Sequence, residues 1–117
     1  MVKAERAVRD AVLEMGSKIA QDTPRDTGRA QGNWQTGINE VPTGTVERFG
    51  AEASIAELRH KLDEFQLGDT IYFVNNLPYI RALEYGGSSG KAPHGMVRVN
   101  IAGWRERVQR LAGSSNP

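Results

Sequence analysis

The stretch "SIAELRHKLDEFQLG", residues 54–68, constrains the fold more than any other part of this chain. Ile55, Leu58, Leu62 and Phe65 recur at three- and four-residue spacing, which lays one apolar stripe along a helix. Ser54 and Glu57 have the spacing of a capping box, in which each side chain satisfies a free backbone N–H at the helix start. Gly68 is placed to close the helix in a left-handed conformation. His60 falls on the polar face. A helix with one apolar stripe must bury it against another layer, so the rest of the chain has to supply that layer.

A second amphipathic helix is expected from Val2 to Gln21. Val8, Val12, Met15 and Ile19 make its stripe, and Pro24, by disfavouring helix at Thr23, should stop it near Asp22. The breakers Pro24, Gly28 and Gly32 mark "TPRDTGRAQGNW" as loop, with a turn at Asp26-Thr27-Gly28 in which Asp26 accepts a backbone N–H. Trp34, Thr36 and Ile38 then alternate with Gln35, Gly37 and Asn39, the pattern of a half-buried strand ending near Pro42. The segment "PTGTVERFGAE" reads as loop, with room for a short edge strand at Thr45–Phe49. "TIYFVNN" is almost continuously apolar between turn residues, which suits a central strand.

Asn76 or Leu77 is placed to cap a short helix with Pro78 in its first turn, Tyr79, Ile80 and Leu83 on its apolar side, and Gly86-Gly87 at its end. "GGSSGKAP" reads as flexible loop. Val97, Ile101, Trp104, Val108 and Leu111 hold helical spacing from Gly95 to about Leu111, and "GSSNP" reads as a frayed tail. The expected order is helix, strand, helix, strand, helix, helix. This is an α+β fold: a small, mainly antiparallel sheet packed by about four helices, mainly on one face. A chain of 117 residues suits one domain, 1–112, with a flexible C-terminal tail at 113–117.

Charge and residue usage narrow the function classes. The net charge is +1, so no strong overall field points to nucleic acid or membrane. The distribution is uneven. Residues 40–69 carry seven carboxylates against three Lys or Arg, a balance of −4, and residues 81–110 carry six Lys or Arg against two carboxylates, a balance of +4. Such a chain can stack on copies of itself or on charged partners, or it can simply present two solvated faces. There is no cysteine, which excludes disulfides and thiolate metal sites and fits a reducing compartment. No apolar run approaches the roughly 20 residues that span a bilayer, so no membrane partner is expected. The charged N-terminus lacks the form of a signal peptide.

A search for catalytic chemistry yields little. Asp26-Thr27-Gly28 matches the triplet that carries the catalytic carboxylate of aspartic proteases, so a dimeric protease using Asp26 is one alternative. That triplet should follow an apolar strand in an almost all-β fold, and here it follows Thr-Pro-Arg among helices. "GGSSGKA" departs from a phosphate-binding loop at Tyr85 and Ala92. His60 and His94 have no ligand partners at metal-site spacing, and Ser88 or Ser89 with His94 lacks a nucleophile elbow and an orienting acid. Arg98, Arg105, Arg107 and Arg110 give the last helix a basic character, which leaves a nucleic-acid-binding module as a second alternative. No catalytic residue, cofactor or metal is expected.

Three blocks in order, "TPRDTGRAQGNW", "IYFVNNLPYIRALEYG" and "APHGMVR", resemble the small tail-completion and head-tail joining proteins of long-tailed bacteriophages. The resemblance runs from the first helix to Trp104 and is weakest over 40–53. It implies a virion structural protein, assembled in the host cytoplasm, that completes the tail end and joins head to tail as a ring at the neck. It further implies partners: copies of the chain in a ring of six, and neighbouring neck, connector or tail-tube proteins, with DNA close by. Residue by residue, it assigns Asp26, Thr27, Gly28 and Arg29 to the turn before the first strand, which begins at Trp34. Asn75, Asn76, Pro78, Tyr79, Glu84, Tyr85 and Gly86 go to a strand-helix corner, and Pro93, Gly95, Met96 and Arg98 to the start of the last helix. These, with Arg105 and Arg107 on the basic side, are interface or motif candidates. At His94-Gly95 the chain departs from the bulkier aromatic contact of broader relatives, so no partner-binding role passes to His94.

Overall fold

The structure, a computed structural model, describes residues 2–25 and 27–85. Within them the order is α1 (Lys3–Asp22), α2 (Arg29–Gly32), β1 (Trp34–Ile38), α3 (Ala51–Leu62), β2 (Ile71–Asn75) and α4 (Ile80–Tyr85). β1 and β2 form a two-stranded antiparallel sheet in which Trp34 faces Asn75 and Ile38 faces Ile71. The fold is α+β. Its four described helices differ from the four expected: α2 is an addition, and the helix expected over 95–111 lies outside the described residues, as do Trp104, the 86–92 loop and the 113–117 tail.

α1 ends where Pro24 requires. Thr23 is extended, its backbone N–H donates to Ile19 O at 3.1 Å, and its hydroxyl donates to the same carbonyl at 2.7 Å. The face that α1 buries is rotated from the expected stripe. Ala7, Ala11, Gly16, Ile19 and Ala20 are buried, whereas Val8, Val12 and Met15 are half-buried. The reason is close approach to α3: a Cβ on Gly16 would stand 2.5 Å from Leu58 Cδ2. Small residues on the inner face allow that contact, and the larger ones flank it. Leu58, Leu62 and Phe65 are buried as their spacing predicts, and Ile55 is half-buried.

The capping box is not formed. α3 begins three residues before Ser54, behind Gly50, and both box residues serve distant backbone. The Ser54 hydroxyl donates to Gln31 O at 2.7 Å, and Glu57 Oε1 accepts the Thr36 N–H at 3.0 Å. Tertiary partners outcompete the local ones because Ser54 is fully buried against α2. Gly68 is left-handed, with φ 97°, but it lies in the turn Gln66–Asp69 and not at the end of α3.

β1 does not alternate. Trp34, Gln35, Thr36 and Gly37 are all buried, because the segment after β1 folds back over its second face. Gln35 Nε2 donates to Gly44 O at 2.9 Å, and a Cβ on Gly37 would overlap the Glu40 carbonyl. β1 stops at Ile38 rather than near Pro42, since Asn39 takes φ 61°, exchanges hydrogen bonds with the Thr70 backbone and donates its side-chain N–H to Asp69. No strand forms at 45–49. Arg48 lies along the outer edge of β1 instead, its guanidinium donating to Gly32 O at 2.7 Å and Trp34 O at 2.8 Å and pairing with Glu57 at 3.3 Å. An ion pair thus occupies the edge where a third strand would bond.

Among the described residues β1 is the one strand neighbour of β2, and all five residues of β2 are half-buried. Its Phe73 stacks on Trp34 with ring centroids 5.1 Å apart. Around Ile19, Ala20 and Trp34 pack Met15, Ile55, Phe73, Ile80 and Leu83, which fixes α4 at the Trp34 end of the sheet.

Candidate functional site

The first two blocks of the resemblance, 23–34 and 71–86, meet in space through their described residues. Trp34 pairs across the sheet with Asn75, and Asn75 Nδ2 donates to Ala30 O at 2.9 Å. Gly28 builds the other side of this junction. Its φ of 82° suits glycine, and its carbonyl accepts the N–H groups of Gly32, at 3.0 Å, and Gly50, at 2.8 Å. A Cβ on Gly28 would stand 3.0 Å from the Gly50 nitrogen, and one on Gly32 would overlap the Arg48 carbonyl. The glycines therefore let the 44–50 segment lie directly on α2.

The turn residues divide into scaffold and surface. Asp26 lies outside the described residues. Beside it the exposed Thr27 uses its hydroxyl to accept the Arg29 N–H at 3.3 Å, and Arg29 is half-buried. Trp34, 5% exposed, belongs to the core and has no free face for a partner. Asn75 Oδ1 accepts the Leu77 N–H at 3.2 Å, while Asn76 Nδ2 reaches Pro42 O at 3.1 Å and Gly44 O at 2.9 Å. The Asn76 side chain bonds the 42–44 segment and not the start of α4. Leu77 is buried and its carbonyl accepts the Ile80 N–H at 3.2 Å, Pro78 sits in the turn before the helix, and the Tyr79 carbonyl accepts the Leu83 N–H at 3.2 Å.

α4 and the turn before it carry large outward-facing candidates. Tyr79, in the turn, is 40% exposed and Tyr85, at the end of α4, 62%, with the exposed Arg81 between them, whereas Glu84 is buried. Gly86, Pro93, Gly95, Met96, Arg98, Arg105 and Arg107 lie outside the described residues.

Residues that the sequence reading passed over hold this junction together. Asn33, fully buried, accepts the Val46 N–H at 2.9 Å and donates to Val46 O at 3.0 Å, so that it stands in for a strand partner. Gln31 donates to Thr23 O at 2.9 Å. The available signal was composition: buried Asn and Gln inside "GRAQGNW" have no place in an ordinary solvated loop.

Two open clefts flank the scaffold. One of about 450 Å³ is lined by Arg25, Gln31, Phe49, Glu52 and Ile55. The other, about 440 Å³, lies between β1 and α3 and is lined by Thr36, Glu40, Val41, Glu57, Lys61 and Glu64. No group of three or more His, Cys, Asp or Glu among the described residues is placed to hold a metal ion. His60 is exposed. Two surface carboxyls are held below their ordinary values: Asp69 by the Asn39 side chain and the Gln66 N–H, and Glu5 by the N–H groups of Leu67 and Val2. No helix among the described residues is long and apolar enough to cross a membrane.

Comparison of the chain with protein-family models, with curated proteins and with solved structures finds no match.

Proposed function

We propose that this chain is a structural protein of a long-tailed bacteriophage virion, one that completes the tail end and joins head to tail as a ring of copies, six in number, at the neck. The observation that carries the reading is the junction of the two blocks. The residues through which the chain resembles tail-completion and head-tail joining proteins, Gly28 to Trp34 and Asn75 to Tyr85, are interlocked by Asn75 on Ala30 and by Phe73 on Trp34. A scaffold so built presents Tyr79, Arg81 and Tyr85 outward on one short helix and the turn that leads into it. Tyrosine and arginine are the residues that most often anchor protein contacts. The opposed charge of segments 40–69 and 81–110 also suits head-to-tail association, which closes into a ring when the rotation allows.

The test is deletion of the gene in the phage or prophage that carries it, followed by imaging of the particles. Filled heads and unjoined or unfinished tails should accumulate, and supplying the chain in trans should restore infectious particles. Mass spectrometry of purified virions should find the chain, and a map of the neck should place it in a ring. Normal particles without the gene, or virions lacking the chain, overturn the proposal.

A further inference from the structure

We propose that Arg81 on α4 of one copy enters the carboxylate-bearing cleft between β1 and α3 of the next copy and pairs there with Glu40 and Glu64. The inference deepens the ring reading and rests on it for the presence of neighbouring copies.

The two surfaces lie toward opposite ends of the sheet. α4 packs through Ile80 and Leu83 at the Trp34 end. α3 runs alongside β1 in the same direction, as the contacts of Ser54 with Gln31 and of Glu57 with Thr36 show. Its last turn and the residues just beyond it therefore line the cleft near Ile38, Lys61 and Glu64 sharing it with Glu40. A knob at one end and a socket at the other form a heterologous contact, which propagates from copy to copy.

The charges fit in kind and in number. Glu57 is already paired with Arg48. Glu40 and Glu64 are exposed and make no ion pair or side-chain hydrogen bond among the described residues, and neither does Arg81. With Lys61 in the cleft, the two carboxylates leave one negative charge uncompensated, which one guanidinium neutralises. A guanidinium also has five N–H donors in a planar fork, enough to reach more than one acceptor.

A second observation marks the cleft as incomplete. Thr36 lines it, is 4% exposed, and has a buried hydroxyl oxygen with no hydrogen-bond partner. Buried polar atoms are nearly always satisfied. A donor arriving through the cleft supplies the missing partner, with side-chain adjustment of the kind common on binding.

The chain has no cysteine, so introduced thiols report without background. Single variants Thr43→Cys, on the rim of the cleft, and Ala82→Cys, beside Arg81 on α4, keep all the charges of the contact and are purified, mixed and oxidised at low ionic strength. The mixed disulfide should form at least about tenfold faster than either homodimer, and added salt should suppress it, as for exposed charges. A double variant carrying both cysteines should give a ladder of linear or closed oligomers. In a disulfide-free background, Arg81→Glu should abolish self-association seen by sedimentation, and combining it with Glu64→Arg should restore it.

Equal rates for mixed and like pairs overturn the proposal, as does a disulfide formed within one chain of the double variant. The assay uses purified protein, so its failure leaves the virion location standing. Absence of the chain from virions would leave the cross-link result standing in turn.

Discussion

The indole N–H of Trp34 donates to the hydroxyl of Thr23 at 2.9 Å, and that hydroxyl donates to the carbonyl of Ile19. One threonine, 1% exposed, thereby closes α1 and satisfies the polar atom of the core's largest side chain. Thr23→Val keeps the shape and removes both bonds. It should cost about 1–3 kcal/mol in a urea melt, because the indole N–H is left buried without an acceptor. Thr23→Ser should cost less, since the hydroxyl remains.

Gly16 and Leu58 form the closest approach of α1 to α3. Gly16→Ala should destabilise by about 1–3 kcal/mol through overpacking. Leu58→Ala should cost about 2–5 kcal/mol through the cavity it leaves. The double variant should cost less than the sum, because the new methyl occupies part of the vacated space. Strict additivity in thermal melts would mean that the two helices do not touch at this point.

The ion pair of Arg48 and Glu57 replaces a strand at the edge of β1. Arg48→Met strips donors from Gly32 O and Trp34 O and should cost about 1–3 kcal/mol. Glu57→Gln should cost less than Glu57→Ala, since it keeps an acceptor for the Thr36 N–H. Hydrogen exchange at the Thr36 amide is the discriminating measurement: slow in the parent and in Glu57→Gln, fast in Glu57→Ala.

Asp69 titrates below its ordinary value of 3.8 because Asn39 and the Gln66 N–H bind its charged form. A carboxyl whose pKa falls on folding stabilises the fold above the unfolded value, and that contribution disappears as pH drops through the lower folded value. The melting temperature should therefore decline on acidification below pH 3.8. Asp69→Asn should lower it near neutrality and flatten that decline. A parallel acid profile for parent and variant would mean that the Asn39 contact carries no charge dependence.

Sequence alone determined the features set by local sterics and periodicity. Pro24 ends α1 because a residue before proline avoids helix, whatever surrounds it. Leu58, Leu62 and Phe65 are buried because their spacing leaves one stripe to cover, and the strand positions at Trp34 and Ile71 follow from residue type. Nothing local could reveal which carbonyl Ser54 would find or where Glu57 would point, and the capping-box reading failed because their partners lie more than 20 residues away. α2 escaped notice because four residues carry no period. The interface candidates were legible as a block, but which of them face outward was not. Trp34 and Glu84 turned inward while Tyr79 and Tyr85 remained exposed. Tertiary structure decided these matters through backbone proximity: the 39–50 segment lies against β1 and α2, covers the face of β1 turned away from the core, and leaves glycine, asparagine and one arginine to satisfy the polar groups a third strand would have covered.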